Sequence, residues 1–446
     1  MADISQSDAA LGDAASAKAA KRLVWFLFVC YVIAYLDRIN IAFAALSMNK
    51  ALGLTAATFG LAGTIFYSGY LLCEVPSNLL MVRVGARRWI ARIMIIWGFA
   101  SAATMFATGP LSLYLLRMLV GIAEAGFLPG VLLYLTYWFP TKRRGRVTAL
   151  FMIAQPIAIG FGSLVSALIM QGLDTTLGLA GWQWLFVLTG LPAVVLGLCV
   201  LFYLPDRPAN ATWLTLAEQR ALTEIVANEA PAPRHGLSGI GRSLLTSGFV
   251  RLCLAYFCLV TSLNALATWS PLIIRSLLSP GASLLQIGSL AAIPGIVAAI
   301  AMPLWAARSD RRQERLVHYA IPVACAAAGW LCVILFQSPV VRLAGLAACT
   351  AGGFTGMVIL WTLPPGLIPT QARPIGIALL SCAGIAASIT SPAIIGVLHD
   401  LTGSFNAGLW YSVTLLSVSM ALILSLRVAT RRVGSLEAGA NAGPVA

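Results

Sequence analysis

Polar residues in this chain are confined to short interruptions between long apolar stretches, and those stretches set the architecture. A run of about 20 predominantly apolar residues is long enough for a helix to cross the hydrocarbon layer of a bilayer. Such runs fall near residues 23–47, 58–81, 90–108, 111–137, 147–170, 182–204, 249–274, 284–306, 317–337, 341–364, 374–397 and 407–427. They predict an all-α membrane protein with about twelve transmembrane helices in two six-helix pseudo-symmetric bundles. The first run is too long for a signal-peptide core and lacks a cleavage site, so it reads as a retained span. The longest polar segment, 205–247, holds Asp206, Arg207, Glu218, Arg220, Glu224, Glu229, Arg234 and a Pro-Ala-Pro at 231–233. It predicts a cytoplasmic linker, with 215–228 as an amphipathic helix lying on the membrane surface. The linker separates an N-terminal bundle over 1–204 from a C-terminal bundle over 248–446.

Composition sharpens the class. Of 446 residues, 59% are hydrophobic and 10% charged, and the mean hydropathy of +0.89 exceeds what a soluble core of this size needs. The net charge of +14 is topological, because the basic residues collect at alternate span ends. Lys18, Lys21 and Arg22 precede the first span, and Arg83, Arg87 and Arg88 follow the second. Lys142, Arg143, Arg144 and Arg146 follow the fourth, and Arg308, Arg311, Arg312 and Arg315 the eighth. Arg373 follows the tenth, and Arg427, Arg431 and Arg432 the twelfth. The opposite loops carry little beyond Lys50, Arg275 and Arg342. The positive-inside rule then puts both termini in the cytoplasm and leaves no role for nucleic acid. None of the nine cysteines has zinc or redox spacing, and His235, His318 and His399 form no cluster. No metal, cofactor or enzymatic centre is therefore expected.

An internal repeat accompanies the two halves. Pro140-Thr141-Lys142-Arg143-Arg144, then Ala149-Leu150, is matched by Pro369-Thr370-Gln371-Ala372-Arg373, then Ala378-Leu379, at an offset of 229 residues (369 − 140). The basic turn Arg83-Val-Gly-Ala-Arg87-Arg88 has a counterpart in Asp310-Arg311-Arg312-Gln-Glu-Arg315. Two facing repeats suit a substrate site at mid-membrane and access that alternates as the halves rock.

Five ionisable residues, Asp37, Arg38, Glu74, Arg117 and Glu124, lie inside the spans, all in the first half. Each charge near a helix centre costs roughly 2.5 to 3.5 kcal/mol on an insertion scale, which marks a functional site. Asp37 and Arg38 are neighbours, about 100° apart around a helix, so they can address separate partners, and Asn40 extends the patch. Arg117 and Glu124, seven positions apart, share one face, and Gly121 between them leaves a gap for a small anion. Tyr67, Tyr70 and Glu74 form a stripe on the second span, and Gln155 adds a neutral hydrogen-bonding group on the fifth. Glu74, just before Pro76 and the basic turn, is expected to gate or brace. At the repeat offset Arg117, Glu124 and Asp37 become Leu346, Gly353 and Leu266. The second half offers Asn264, Trp269, Trp361, Thr362, Ser381, Ser388, Thr390 and Ser391 instead, shape rather than charge.

Asp37, Arg38, Arg117 and Glu124 sum to zero charge. An entering organic anion competes with the carboxylates for the arginines and succeeds more easily when the carboxylates are protonated. Proton and anion binding are then positively linked, which predicts proton-coupled anion uptake.

Over nearly the whole chain the combination resembles the major facilitator superfamily. Its turn between the second and third spans, Gly-x-x-x-Asp-Arg-x-Gly-x-Arg-Arg, survives as Arg83, Gly85, Arg87 and Arg88, with Asn78 and Val82 at the first glycine and the acid. The acidic form persists in the second half as Asp310-Arg311. Arginines in such a turn can cap helix ends and pair with a carboxylate in one conformation, which is a gating role. Three motifs narrow the likeness: Tyr35-x-Asp37-Arg38-x-Asn40, Glu74-Val-Pro76-Ser77-Asn78, and Arg117-x6-Glu124-Ala-Gly-Phe-x-Pro-Gly with Trp138-Phe139-Pro140 downstream. Together they resemble the anion:cation symporter branch, permeases for tartrate, phthalate, hexuronates and 4-hydroxyphenylacetate. The resemblance implies proton exchange at Asp37 and Glu124, and substrate handling or gating at Arg38 and Arg117. It also implies that Tyr35, Tyr70 and Gln155 face substrate. The chain departs from the branch in the eleventh span, where Ser381-Cys382-Ala383-Gly384-Ile385 replaces an Asn-Ser-x-Gly-Asn pattern, and in the seventh, where Asn264-Ala265 replaces Tyr-Gly.

The expectation is a monomeric symporter of a small carboxylate in a bacterial inner membrane, with protons as the coupling ion. An exporter or antiporter of the same superfamily should carry a glycine-rich fifth span, where only Pro156, Gly160 and Gly162 suggest one. A transporter-like sensor should carry a larger soluble output domain.

Overall fold

The computed structural model describes residues 6–229, 246–279, 281–368 and 373–440, and every regular element among them is helical. The Pro-Ala-Pro at 231–233, Arg234, His235 and the repeat turn at 369–372 lie outside the described residues. So do the side chains of Lys142, Arg146, Arg373, Arg427, Arg431 and Arg432. Among the described residues, twelve helical stretches are long and apolar enough to span a membrane, from Leu11–Ala51 to Asn406–Leu426. They fall on the twelve apolar runs of the sequence, and the protein is a multi-pass membrane protein.

The chain divides into two compact units, Met1–Leu54 with Ile65–His235, and Thr55–Thr64 with Gly236–Ala446. The first unit contains α1 (Gln6–Ala19), α2 (Trp25–Ala51), most of α3 (Ala56–Val84), α4 (Ala86–Ala102), α5 (Pro110–Glu124) and α6 (Phe127–Thr136). It continues with α7 (Thr141–Met152), α8 (Ala154–Gly172), α9 (Gly181–Tyr203) and α10 (Leu216–Glu229). The second unit contains α11 (Ser247–Leu277), α12 (Leu284–Arg312), α13 (Leu316–Leu335), α14 (Pro339–Leu360), α15 (Pro364–Leu367), α16 (Arg373–Thr402) and α17 (Asn406–Ala440). The start of α3, as far as Thr64, belongs with the second unit, where the Asp400 carboxylate accepts the N–H groups of Ala56 and Ala57 at 3.1 and 2.9 Å. An acid at a helix N-terminus satisfies donors that have no partner within the helix.

The repeat is visible in the pairings inside each unit. In the first, α2 packs on α8 and α9, and α4 on α5 and α9; in the second, α11 packs on α16 and α17, and α13 on α14 and α17. Small residues permit the closest of these contacts. A Cβ on Gly98 of α4 would lie 2.7 Å from the Gly190 carbonyl oxygen of α9, and one on Gly190 would lie 2.6 Å from the Gly98 carbonyl oxygen. Gly329 and Gly345 repeat this reciprocal approach between α13 and α14, at 2.4 and 2.5 Å. Backbones that touch in this way replace a hydrophobic driving force that lipid cannot supply.

The basic turn opens on a glycine. Gly85 takes φ +96°, a conformation open to glycine, and α4 starts immediately after it. Its capping acid comes from beyond α9: Asp206 accepts the backbone N–H of Arg87 at 2.8 Å. Among the described residues the guanidiniums of Arg83, Arg87 and Arg88 form no ion pair. The start of the linker is fastened to the bundle, since Tyr134 donates to the Pro205 carbonyl at 2.7 Å and Trp213 stacks on Trp138 with centroids 5.7 Å apart. Arg22 lies over the rings of Tyr203 and Trp213.

The linker helix has a partner within the protein. α10 packs against α1, with Lys18 and Glu218 paired at 2.5 Å. Its apolar face, with Leu222, joins the same core as Ala15 and Ala19. The small alanines of α1 let the two helices approach and bury apolar area between them.

The Gly98 contact should be intolerant of bulk. We expect Gly98→Leu to lower unfolding stability by about 2 kcal/mol or more through overpacking. Gly109→Ala, where nothing lies within 4 Å of the added carbon, should be neutral. Thermal unfolding of the detergent-solubilised variants checks the pair, and equal midpoints would contradict the packing.

Candidate functional site

The fourth span is not one helix. α5 ends at Glu124, Ala125 leaves the helical region (φ −54°, ψ 129°), and Gly126 turns left-handed (φ 89°) before α6 begins. A Cβ on Gly126 would lie 2.3 Å from Ser77 Oγ, so the turn admits only glycine. Ser77 donates to the Ala125 carbonyl at 2.7 Å and accepts from Trp89 Nε1 at 3.0 Å, which ties the break to α3 and α4. A discontinuous helix at membrane depth is tolerated where such partners replace the missing backbone bonds.

The break leaves Glu124 at the C-terminal end of α5, where the helix dipole opposes a negative charge. Arg38 of α2 supplies the cation. Its Nε and Nη2 both donate to Glu124 Oε1, at 2.7 and 2.6 Å, and its guanidinium lies 5.3 Å from the Tyr70 ring centre. Glu124 is fully buried, and its Oε2 accepts no hydrogen bond among the described residues.

Arg117, one face along α5, is buried over the Phe66 ring at 4.6 Å. Among the described residues it forms no ion pair, and its Nε donates no hydrogen bond. The expected gap at Gly121 is absent. A Cβ there would lie 2.1 Å from the Phe66 carbonyl oxygen, so the glycine admits the backbone of α3 rather than an anion. Close helix contact has used the space that the missing side chain leaves.

Asp37 faces a different environment from that of its neighbour Arg38. Its carboxylate accepts from Asn40 Nδ2 (2.9 Å) and Trp97 Nε1 (2.9 Å), and from Ser101 Oγ. Asn40 also donates to Thr189 Oγ1 at 2.8 Å, so the group joins α2 to α4 and α9. All partners are neutral. Neighbouring helix positions thus serve separate partners, as the 100° step requires.

The remaining first-unit residues surround this core. Tyr35 packs edge-on to Tyr31, which stacks on Phe151 at 4.4 Å and accepts from Gln155 Nε2 at 2.6 Å. Gln155 Oε1 has no hydrogen-bond partner among the described residues. Glu74 is half-buried one turn beyond Tyr70, and its carboxylate makes no hydrogen bond or ion pair among the described residues. Sequence reasoning missed Tyr31, Trp97, Ser101 and Thr189. Their only signal was polar atoms within the spans, with Trp97 and Ser101 one helical turn apart.

In the second unit Asn264 donates to Val260 O and Ser388 Oγ, both at 2.9 Å. Trp361 meets Tyr256 edge-on at 5.5 Å, and a Cβ on Gly384 would lie 2.5 Å from the Tyr256 ring. Ser381 is half-buried on α16. Asp310 pairs with Arg315 at 2.7 Å rather than with Arg311. Among the described residues no three His, Cys, Asp or Glu side chains could hold a metal ion.

These features define a membrane transporter, and comparison with known proteins agrees. Residues 27–378 match the model of the Major Facilitator Superfamily, and the chain belongs to that family. It is similar to the "Putative tartrate transporter" of Agrobacterium vitis, 42% identical over 91% of this chain and 89% of that one. It is also similar to the quinolone resistance transporter of Acinetobacter baumannii, 38% identical over 87% of this chain and 89% of that one. The fold matches the inward-facing crystal structure of a bacterial homologue of the lysosomal transporter Spinster, with a TM-score of 0.68 at 17% identity over 92% of this chain and 95% of that one.

The buried pair generates a prediction. Arg38→Gln strands the Glu124 carboxylate, so we expect it to destabilise the protein by about 3 kcal/mol. Arg38→Gln with Glu124→Gln should recover most of that loss. Additive effects in a thermal double-mutant cycle would contradict the contact.

Proposed function

We propose that this transporter takes up a small organic anion across the bacterial inner membrane by proton symport, with both termini cytoplasmic and the two halves alternating access. The observation that carries the reading is a buried pair of arginines of which only one touches a carboxylate: Arg38 is held by Glu124, and Arg117, in the field of Asp37 and Glu124, forms no ion pair among the described residues. A buried guanidinium with no carboxylate in contact is expensive and recruits one. Protonation of Glu124 releases Arg38 to the same ligand, so proton and anion binding reinforce each other, and the linkage is reciprocal. Two guanidiniums suit a hydroxy diacid, in keeping with the tartrate transporter named among the relatives. Asp37, satisfied by neutral donors, is the second proton site of this proposal. Tyr35, Tyr70, Gln155, Asn264, Trp361 and Ser381 supply the uncharged contacts. Glu74, Arg83, Arg87, Arg88, Asp310 and Arg311 act in gating or bracing.

The similarity to a quinolone resistance transporter favours export as the second reading. The direction of coupling separates the two. In proteoliposomes an inward proton gradient should drive accumulation of tartrate-like acids, and equal uptake with and without the gradient would sink symport. Glu124→Gln should abolish gradient-driven accumulation while preserving counterflow. Arg117→Lys keeps the charge but loses bidentate geometry, and should weaken apparent affinity about tenfold. An unchanged affinity would remove Arg117 from the substrate site.

A further inference from the structure

A cleft of about 760 Å³ opens in the second unit between α12, α13 and α14, and none of its lining residues is assigned above to substrate or proton. Its walls are apolar, with Leu304 and Ile321 exposed along it and Ala351 and Gly352 at its back. These residues lie within the spans Leu284–Arg312, Leu316–Leu335 and Pro339–Leu360, so the exposed side chains border acyl chains rather than water. The last turns of α12 place Arg308, Arg311 and Arg312 on the lining.

Among the described residues no carboxylate pairs with the three guanidiniums. Asp310 is engaged by Arg315 at 2.7 Å. Glu314 caps α13, accepting the N–H groups of Val317 and His318 at 2.8 and 3.0 Å, and it contacts His318 Nδ1 at 2.8 Å. Among the described residues, Arg308, Arg311 and Arg312 form no ion pair. The wall beside them is rigid for a reason written in the chain. Pro322 has no N–H to give the His318 carbonyl four residues earlier, so that oxygen accepts from Trp305 Nε1 at 2.9 Å instead. Trp305 is thereby fixed against the cleft, and Arg308 lies 5.7 Å from its ring centre.

An apolar slot open to the hydrocarbon layer, ending in three unpaired guanidiniums at the span boundary, matches one kind of molecule. We propose that the cleft binds an anionic diacyl phospholipid of the phosphatidylglycerol class, its phosphate on Arg308, Arg311 and Arg312 and an acyl chain along Leu304, Ile321 and Ala351. Arginine forks hold phosphate through paired hydrogen bonds, and basic pockets between spanning helices on the cytoplasmic side recognise acidic headgroups. A soluble phosphate has no use for the slot, and a choline headgroup brings a fourth cation to the site.

The test uses the purified full-length protein in nonionic detergent, titrated with phosphatidylglycerol, with phosphatidylcholine of the same chains, and with glycerol phosphate. Phosphatidylglycerol should raise the unfolding midpoint by about 4 °C and the other two by less than about 1 °C. The shift should vanish in the Arg308→Gln/Arg311→Gln/Arg312→Gln variant. It should also fall at least severalfold in Ala351→Phe, which fills the slot with the arginines intact. The Ala351→Phe variant decides alone if the triple variant does not fold. An equal shift with phosphatidylcholine, a shift reproduced by glycerol phosphate, or a full phosphatidylglycerol shift retained in either variant overturns the proposal.

Discussion

A carboxylate buried in hydrocarbon must find a cation or lose its charge, and the first unit is arranged around that constraint. Glu124 stands at a helix end whose dipole opposes it, and Arg38, 86 positions away, holds one of its oxygens. The contact exists only because α5 stops where it does. The stop depends on the left-handed Gly126, on Ser77 reaching the Ala125 carbonyl, and on Trp89 fixing Ser77. The close approach of α3 at Gly121 and Gly69 then sets Tyr70 beside Arg38. Small residues and hydroxyls remote from charge thus position the ion pair.

The two buried acids of this unit show how surroundings divide identical chemistry. Asp37 accepts from an amide, an indole and a hydroxyl, all neutral, and through Asn40 it is joined to α9. Glu124 answers to a guanidinium and keeps one oxygen without a partner among the described residues. Environments that set two titratable groups apart are how a site assigns them different tasks. The second unit carries no counterpart of these charges, and at the repeat offset its positions are Leu266, Leu346 and Gly353. Its polar contacts, such as Asn264 with Ser388, tie helices without ions.

Much of the architecture was legible because its causes are local. Twenty apolar residues in a row specify a span without knowledge of neighbours. The five buried charges were legible as a group because each is improbable in its own window. Their partners were not legible. The seven-residue spacing of Arg117 and Glu124 pointed to a shared site on one helix, yet the acid is held by Arg38 and the glycine between them is filled by another backbone. Spacing along one helix reports its faces, not what packs on them. The same limit hid α1 against α10 and the acid that caps α4 from beyond α9.

The sequence by itself determined the membrane class, the twelve spans, the repeat and the confinement of intramembrane charge to the first half, since hydropathy and charge act over one or two turns. Only the tertiary structure decided which arginine neutralises Glu124, that the fourth span breaks there, that Asp37 turns to α4 and α9, and that Arg308, Arg311 and Arg312 border an apolar cleft. Those outcomes follow from contacts between helices distant in sequence. A glycine is an opening until a particular backbone fills it, and a buried charge is a liability until a particular partner meets it.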